Sequence, residues 1–196
     1  MSGLLKKLEK TVTNIAQDVT REVGHIQKDV SREVDKVWSH PVLDSFKTDN
    51  VIQLVSRSSG LCLQIVVSPS GNLVIDGMGE EGPTVYHAHW TIIKEGKNAV
   101  KLHNNNNYLA IINGAAVVGS FPPPAQPGPE TRFRVVTHDN FVELESIKEP
   151  GRYVGIISNG QLKSALATGR ENDADFTPKL IYSPQNPGNP YNPPKK

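Results

Sequence analysis

Ala88-His89-Trp90-Thr91-Ile92-Ile93, Thr131-Arg132-Phe133-Arg134-Val135-Val136 and Ala174-Asp175-Phe176-Thr177-Pro178-Lys179 are three short strand-like runs set at one interval. Their aromatics, Trp90, Phe133 and Phe176, lie 43 residues apart twice over. A period of that length marks a repeat architecture, because each unit carries an apolar face that only its neighbours can cover. Each run closes a unit. The first unit opens with Val51-Ile52-Gln53-Leu54-Val55 and continues through Gly60-Leu61-Cys62-Leu63-Gln64-Ile65. The second has Ala99-Val100-Lys101-Leu102-His103, then Asn107-Tyr108-Leu109-Ala110-Ile111; the third has Phe141-Val142-Glu143-Leu144-Glu145, then Arg152-Tyr153-Val154-Gly155-Ile156. Each goes on to a glycine turn, Ser70-Gly71, Asn113-Gly114 or Asn159-Gly160, and Asn-Gly is a strong hairpin signal.

Four short strands in each of three units predict roughly twelve strands over residues 50–182. The expected fold class is all-β, a β-trefoil of three pseudo-repeats: a six-stranded barrel capped by three hairpins and preceded by a long amphipathic N-terminal α-helix. Leu54, Leu102 and Leu144 are expected to point inward, with Leu63, Leu109 and Val154 stacked beside them. Trp90, Phe133 and Phe176 fill the barrel base.

Outside the repeat the chain changes character. Apolar residues at Leu8, Val12, Ile15, Val19, Val23, Ile26, Val30, Val34 and Val37 step by 4, 3 and 4, and Asp18-Val19-Thr20-Arg21-Glu22-Val23 returns as Asp29-Val30-Ser31-Arg32-Glu33-Val34. An 11-residue period keeps one stripe aligned on a nearly straight helix. Residues 1–40 are therefore expected to be that helix, ended by His40-Pro41. Its stripe is narrow and flanked by seven Lys/Arg and six Asp/Glu within residues 1–38. Such a stripe suits contact with another helix, as in a coiled coil, so self-association through this face is expected. Contact with a membrane surface stays open, since Leu4, Leu5, Lys6, Lys7 and Leu8 make a good interfacial start. Residues 41–49 read as a linker and 183–196 as a disordered proline-rich tail. A second proline cluster, Pro122 to Pro129, reads as a surface loop, since proline cannot sit in a paired central strand.

Twenty-one Lys+Arg face 20 Asp+Glu. That balance provides no field for nucleic acid, and no nucleic-acid partner is expected. The lone cysteine, Cys62, excludes an internal disulfide framework and any cysteine-based zinc cluster; within Leu61-Cys62-Leu63 it reads as a small buried hydrophobe. The N-terminus lacks a secretory h-region and no stretch approaches a membrane span. The default expectation is cytoplasmic, with leaderless secretion left open.

Several of the quoted runs resemble those of fibroblast growth factors. Leu61-Cys62-Leu63-Gln64-Ile65, Tyr108-Leu109-Ala110-Ile111 with Gly119-Ser120, Arg152-Tyr153-Val154-Gly155-Ile156 before Asn159-Gly160, and the closing Phe176-Thr177-Pro178 follow that family's order and spacing. The likeness spans roughly residues 50–182, and the wider superfamily includes interleukin-one-like cytokines and fascins. The resemblance implies receptor binding, growth-factor activity and a basic loop for heparan sulfate after the third Asn-Gly turn. Here that loop, Gln161 to Asp173, offers only Lys163 and Arg170 as cations, opposed by Glu171, Asp173 and Asp175. At most a weak anion or glycan loop of Asn159, Lys163 and Arg170 is expected.

Other function classes have thinner support. The Gln-any-Trp signature of common sugar-binding trefoils is missing, although a sugar site of another type stays open where Asn104 to Tyr108 bring amides and an aromatic together. His87 and His89 would share one side of a strand, yet no third metal ligand follows at suitable spacing. No nucleophile elbow, phosphate-cradling loop or paired-carboxylate arrangement is present. No enzyme activity, cofactor or metal is expected. The leading expectation is a non-enzymatic module that binds a protein partner or receptor, as growth-factor-like ligands and adaptors do, with the helix mediating homo-oligomerisation. A carbohydrate-binding, lectin-like domain is the alternative, its helix oligomerising it or touching membranes.

Overall fold

The computed structural model describes residues 41–187 except residue 98. Twelve strands run through it in chain order: β1 (Val51–Ser56), β2 (Cys62–Val67), β3 (Leu73–Gly79), β4 (Trp90–Glu95), β5 (Ala99–Asn104), β6 (Asn107–Ile112), β7 (Ala115–Ser120), β8 (Phe133–His138), β9 (Phe141–Ser146), β10 (Gly155–Ile156), β11 (Leu162–Lys163) and β12 (Phe176–Tyr182). Six of them close a ring of antiparallel pairs, β1–β4, β4–β5, β5–β8, β8–β9, β9–β12 and β12–β1. Closure leaves no unpaired edge in the ring. The other six form three hairpins, β2–β3, β6–β7 and β10–β11, one from each sequence unit.

The recurring aromatics explain how the ring is built. Trp90, Phe133 and Phe176 are each the first residue of a barrel strand, and each follows a one-turn 3-10 helix: Tyr86–Ala88, Pro129–Thr131 and Asn172–Ala174. A 3-10 turn repositions the chain in three residues and then releases it into extended backbone. All three aromatics are fully buried, as are Leu54, Leu63, Leu102, Leu109, Leu144 and Val154. Trp90 carries a polar atom into this core, and its Nε1 donates to the Leu63 carbonyl at 2.9 Å. The turns are less uniform than their sequences. Only at Asn113-Gly114 are both residues at positive φ (52° and 73°), the type I′ geometry that Asn-Gly favours.

The expected fold class is corrected in its helical part. The helical pieces among the described residues are 3-10 turns of three to six residues, and no helix of seven or more residues occurs there. The described chain is all-β. The helix expected over 1–40, with its contact face of Leu8, Val12, Ile15, Val19, Val23, Ile26, Val30, Val34 and Val37, lies outside the described residues. A helix with so narrow a stripe draws its stability from a covering partner, and no helix among the described residues completes a coiled coil. None there is long and apolar enough to cross a membrane either.

Residues 41–49 prove to be part of the domain. Pro41–Phe46 forms a 3-10 turn that packs on β12, and its three-residue period puts Leu43 and Phe46 on one buried face. The Asn50 amide secures it by donating to the Ser45 carbonyl at 3.1 Å. The proline cluster lies between β7 and the Pro129–Thr131 turn, largely exposed. Most of the tail expected over 183–196 lies outside the described residues.

Cys62 is fully buried at the start of β2. Burial, reinforced by the nearby Glu81 carboxylate, pushes its thiol up to about 12. At pH 8 about one molecule in ten thousand then carries the thiolate, the reactive form. A maleimide pulse at that pH is expected to leave the native protein unlabelled and to label it fully in 6 M guanidinium, read by mass spectrometry. Rapid labelling of the native protein would contradict the burial.

Candidate functional site

The Tyr86–Ala88 turn and the β5–β6 turn lean together over β4. Val51, Tyr86, His89, Thr91, Asn104 and Asn105 line the cleft between them, which encloses about 240 Å³. Asn104 makes this junction. Its amide nitrogen donates to the Tyr86 carbonyl at 2.6 Å and the His89 carbonyl at 3.0 Å, tying two turns 15 to 18 residues apart in sequence. Its side-chain oxygen accepts from the Asn105 amide at 3.3 Å. Asn104 is thereby fully occupied as a strut. Asn105 holds φ at 53°, a left-handed conformation that asparagine tolerates better than most residues.

Three groups face outward from this frame. The Tyr86 side chain is 69% exposed and meets His89 edge-on, with ring centroids 5.5 Å apart at 76°. His89 Nε2 lies 3.3 Å from the Gly82 carbonyl, which can only accept. In the neutral tautomer that donates to this carbonyl, the proton is on Nε2 and Nδ1 is an acceptor. Among the described residues the Tyr86 hydroxyl and the Asn105 side-chain oxygen take no hydrogen bond. None of the six lining residues is an acid, a lysine or an arginine. The cleft thus offers an exposed aromatic face, a ring nitrogen and an amide oxygen, and no fixed charge.

A ridge of rings continues from it. His103 pairs with Thr91 across the β4–β5 ladder, and its Nδ1 lies 2.6 Å from the Asn105 carbonyl. Its ring sits 5.1 Å from Tyr108, which in turn meets Phe121 edge-on at 5.7 Å. Gly119 makes room for this packing, since a Cβ there would come within 2.7 Å of the Phe121 ring.

A larger concavity of about 600 Å³ lies among Glu95, Gly96, Lys101, Pro127, Gly128, Pro129 and Arg132. Its cations are already committed: Lys101 Nζ sits 2.5 Å and Arg132 Nε 2.7 Å from the Glu95 carboxylate. The anion loop expected from the sequence is neutralised in the same way. Lys163 Nζ contacts Glu171 at 2.6 Å and Asp173 at 3.0 Å, Arg170 Nε holds Glu143 at 2.8 Å, and the Asn159 side-chain oxygen caps its own turn by accepting from the Gln161 amide. Glu171 first, and then Asp173, holds the Lys163 ammonium above its ordinary range. Spacing put Lys163 and Arg170 on one loop, and folding gave each an internal partner. His87 and His89 lie in and just after a 3-10 turn rather than along one strand.

A second polar cluster lies at the far end of the β8–β9 hairpin. His138 ends β8, Glu143 lies within β9, and Asp175 immediately precedes β12. Both carboxylates are fully buried. Arg57, stacked over Phe141 at 4.6 Å, binds Asp175 Oδ2 at 2.8 Å, while His138 Nδ1 lies 3.0 Å from Asp175 Oδ1. Burial raises the Glu143 carboxyl, and the Asp175 hydrogen bond raises the His138 imidazole. This cluster was not foreseen from the sequence, because its members sit on three elements with no spacing signature. For the cleft, the Asn104–Tyr108 run was a partial signal; Tyr86 and His89 join it only through the Asn104 strut.

A search against protein-family models returns no match, and neither does a search of curated protein sequences.

Proposed function

We propose that the domain is a non-enzymatic carbohydrate-binding module that takes a neutral sugar ring in the cleft between Tyr86 and Asn105. The observation that carries this reading is an exposed aromatic face beside unpaired polar atoms, in a concavity with no charged lining residue. A pyranose has one apolar face and a rim of hydroxyls. The Tyr86 ring covers the face, while His89 Nδ1, the Asn105 oxygen and the Tyr86 hydroxyl meet the rim. Placing polar groups precisely on an otherwise neutral wall is how small-molecule sites gain orientation. Binding an acidic sugar here would strip water from its charge with no partner to replace it. The Asn104 strut presets the frame, so little ordering entropy is lost on binding.

A glycan array run with the full chain at physiological salt is expected to show retention on neutral glycans. Tyr86→Ala is expected to weaken it about tenfold, the loss of one aromatic stacking contact. Tyr86 is largely exposed, so the variant folds and the effect reports on the site. No retention of any neutral glycan, or equal binding by Tyr86→Ala, would sink the reading.

A protein-binding ligand or adaptor is the second reading. It is favoured by Met78 and Leu166, which are 57% and 59% exposed on the hairpin side of the barrel, beside Gly160 and Gly114. Exposed side chains of this size suit the core of a protein contact. A blank glycan array together with a protein partner lost on Met78→Ser and Leu166→Ser would favour it instead.

A further inference from the structure

We propose that His138, Glu143 and Asp175 form a binding site for a divalent transition-metal ion, with zinc the best match. Each residue offers one ligand atom, and the three atoms lie within 4.8 Å of one another. The outer oxygens of the two carboxylates are already held. Arg57 takes Asp175 Oδ2 at 2.8 Å, and Arg170 Nε takes Glu143 Oε2 at 2.8 Å. The atoms left over are Asp175 Oδ1, which lies 3.0 Å from His138 Nδ1, and Glu143 Oε1.

Glu143 Oε1 is the independent observation. The Glu143 side chain is fully buried, and this oxygen has no hydrogen-bond partner among the described residues. A buried carboxylate oxygen without a donor is costly and calls for a proton, a water or an ion. A cation bridging it to Asp175 Oδ1 and His138 supplies the missing contact. The Arg57 and Arg170 hydrogen bonds then fix the orientation of the ligating carboxylates, as groups behind a metal's ligands commonly do.

One imidazole nitrogen with two carboxylate oxygens suits zinc better than magnesium or calcium, which prefer all-oxygen surroundings. Zinc bonds of about 2.1 Å put tetrahedral ligand atoms about 3.4 Å apart. The His138–Asp175 separation of 3.0 Å is close to that already, and the widest pair needs to close by roughly 1.4 Å from its 4.8 Å limit. Three protein ligands leave the fourth position for water. His138 is 40% exposed and gives the ion a route from solvent. The two arginines offset the carboxylate charge, so their proximity limits affinity and makes a neutral imidazole the deciding ligand.

Isothermal titration of the EDTA-stripped full chain with zinc chloride tests this. One saturable site is expected in the wild type, with a matching rise in Tm. His138→Ala is expected to weaken that site at least tenfold and abolish the Tm rise. His138→Gln, which keeps a polar group of similar size, is expected to do the same. The His138 side chain is near solvent, so both variants fold. Absence of saturable binding in the wild type, or undiminished binding in either variant, would overturn the proposal; in that case the free oxygen is satisfied by a proton. Failure here leaves the sugar cleft untouched, since no residue is shared.

Discussion

Trp90→Ala lowers the unfolding free energy by about 5 kcal/mol, the upper end of the cost of truncating a buried aromatic. Two losses combine. The indole is fully buried at the start of β4, opposite Ile52 of β1, so its removal opens a cavity where two barrel strands meet. Its Nε1 also supplies the Leu63 carbonyl with a donor at 2.9 Å, and that acceptor is stranded inside the protein. Domains of this size have only about 5–15 kcal/mol in total, so the variant sits near the folding threshold. Trp90→Phe is the informative control. Phenylalanine occupies the equivalent position in the other two units, at Phe133 and Phe176, and the scaffold accommodates it there. It keeps most of the apolar volume and loses the N–H, so a cost of about 1–2 kcal/mol is expected. Urea unfolding followed by far-UV circular dichroism measures both, without relying on the fluorescence of the residue removed. A Trp90→Ala cost under 1 kcal/mol would mean that the aromatics do not plug the barrel.

Asp175→Ala is expected to cost about 3 kcal/mol. Asp175 is fully buried and holds two side chains, the Arg57 guanidinium at 2.8 Å and the His138 imidazole at 3.0 Å. Removing one member of a buried pair typically costs 3–5 kcal/mol, because its partner is left uncompensated. The lower end applies here: Arg57 and His138 both reach solvent, so each can turn outward and recover hydration. Arg57→Ala is the complementary variant, leaving the buried Asp175 carboxylate without its guanidinium. A double-mutant cycle between them separates the pair from the packing of Arg57 on Phe141. A coupling below 0.5 kcal/mol would show that the contact is incidental to stability.

Much of the barrel was legible because its signals are local. The turn glycines, the β-branched runs between them and the aromatic two residues after each 3-10 turn all sit within a few positions of one another. Nine residues expected in the core from that pattern are all buried. Residues 41–49 misled for a related reason. Proline and polar residues gave them a linker's composition, while Leu43 and Phe46 acquire a buried face only once β12 is beside them. The 11-residue stripe was a strong periodic signal, and its residues lie outside those described; the helices among the described residues are short 3-10 turns.

The two candidate sites separate differently. Asn104 and Tyr108 stood out within an asparagine run, but the cleft exists because the Asn104 amide reaches back to Tyr86 and His89. His138, Glu143 and Asp175 left no trace in spacing, since ring closure through β8, β9 and β12 is what assembles them. Lys163 and Arg170 looked available on one loop until folding placed carboxylates against both. Sequence by itself determined the repeat, the strand runs and which side chains turn inward, because those follow from short-range backbone preference and apolar patterning. Only the tertiary structure decided which polar groups are spent and which stay free, because a hydrogen bond or an ion pair depends on distances set by residues far apart along the chain.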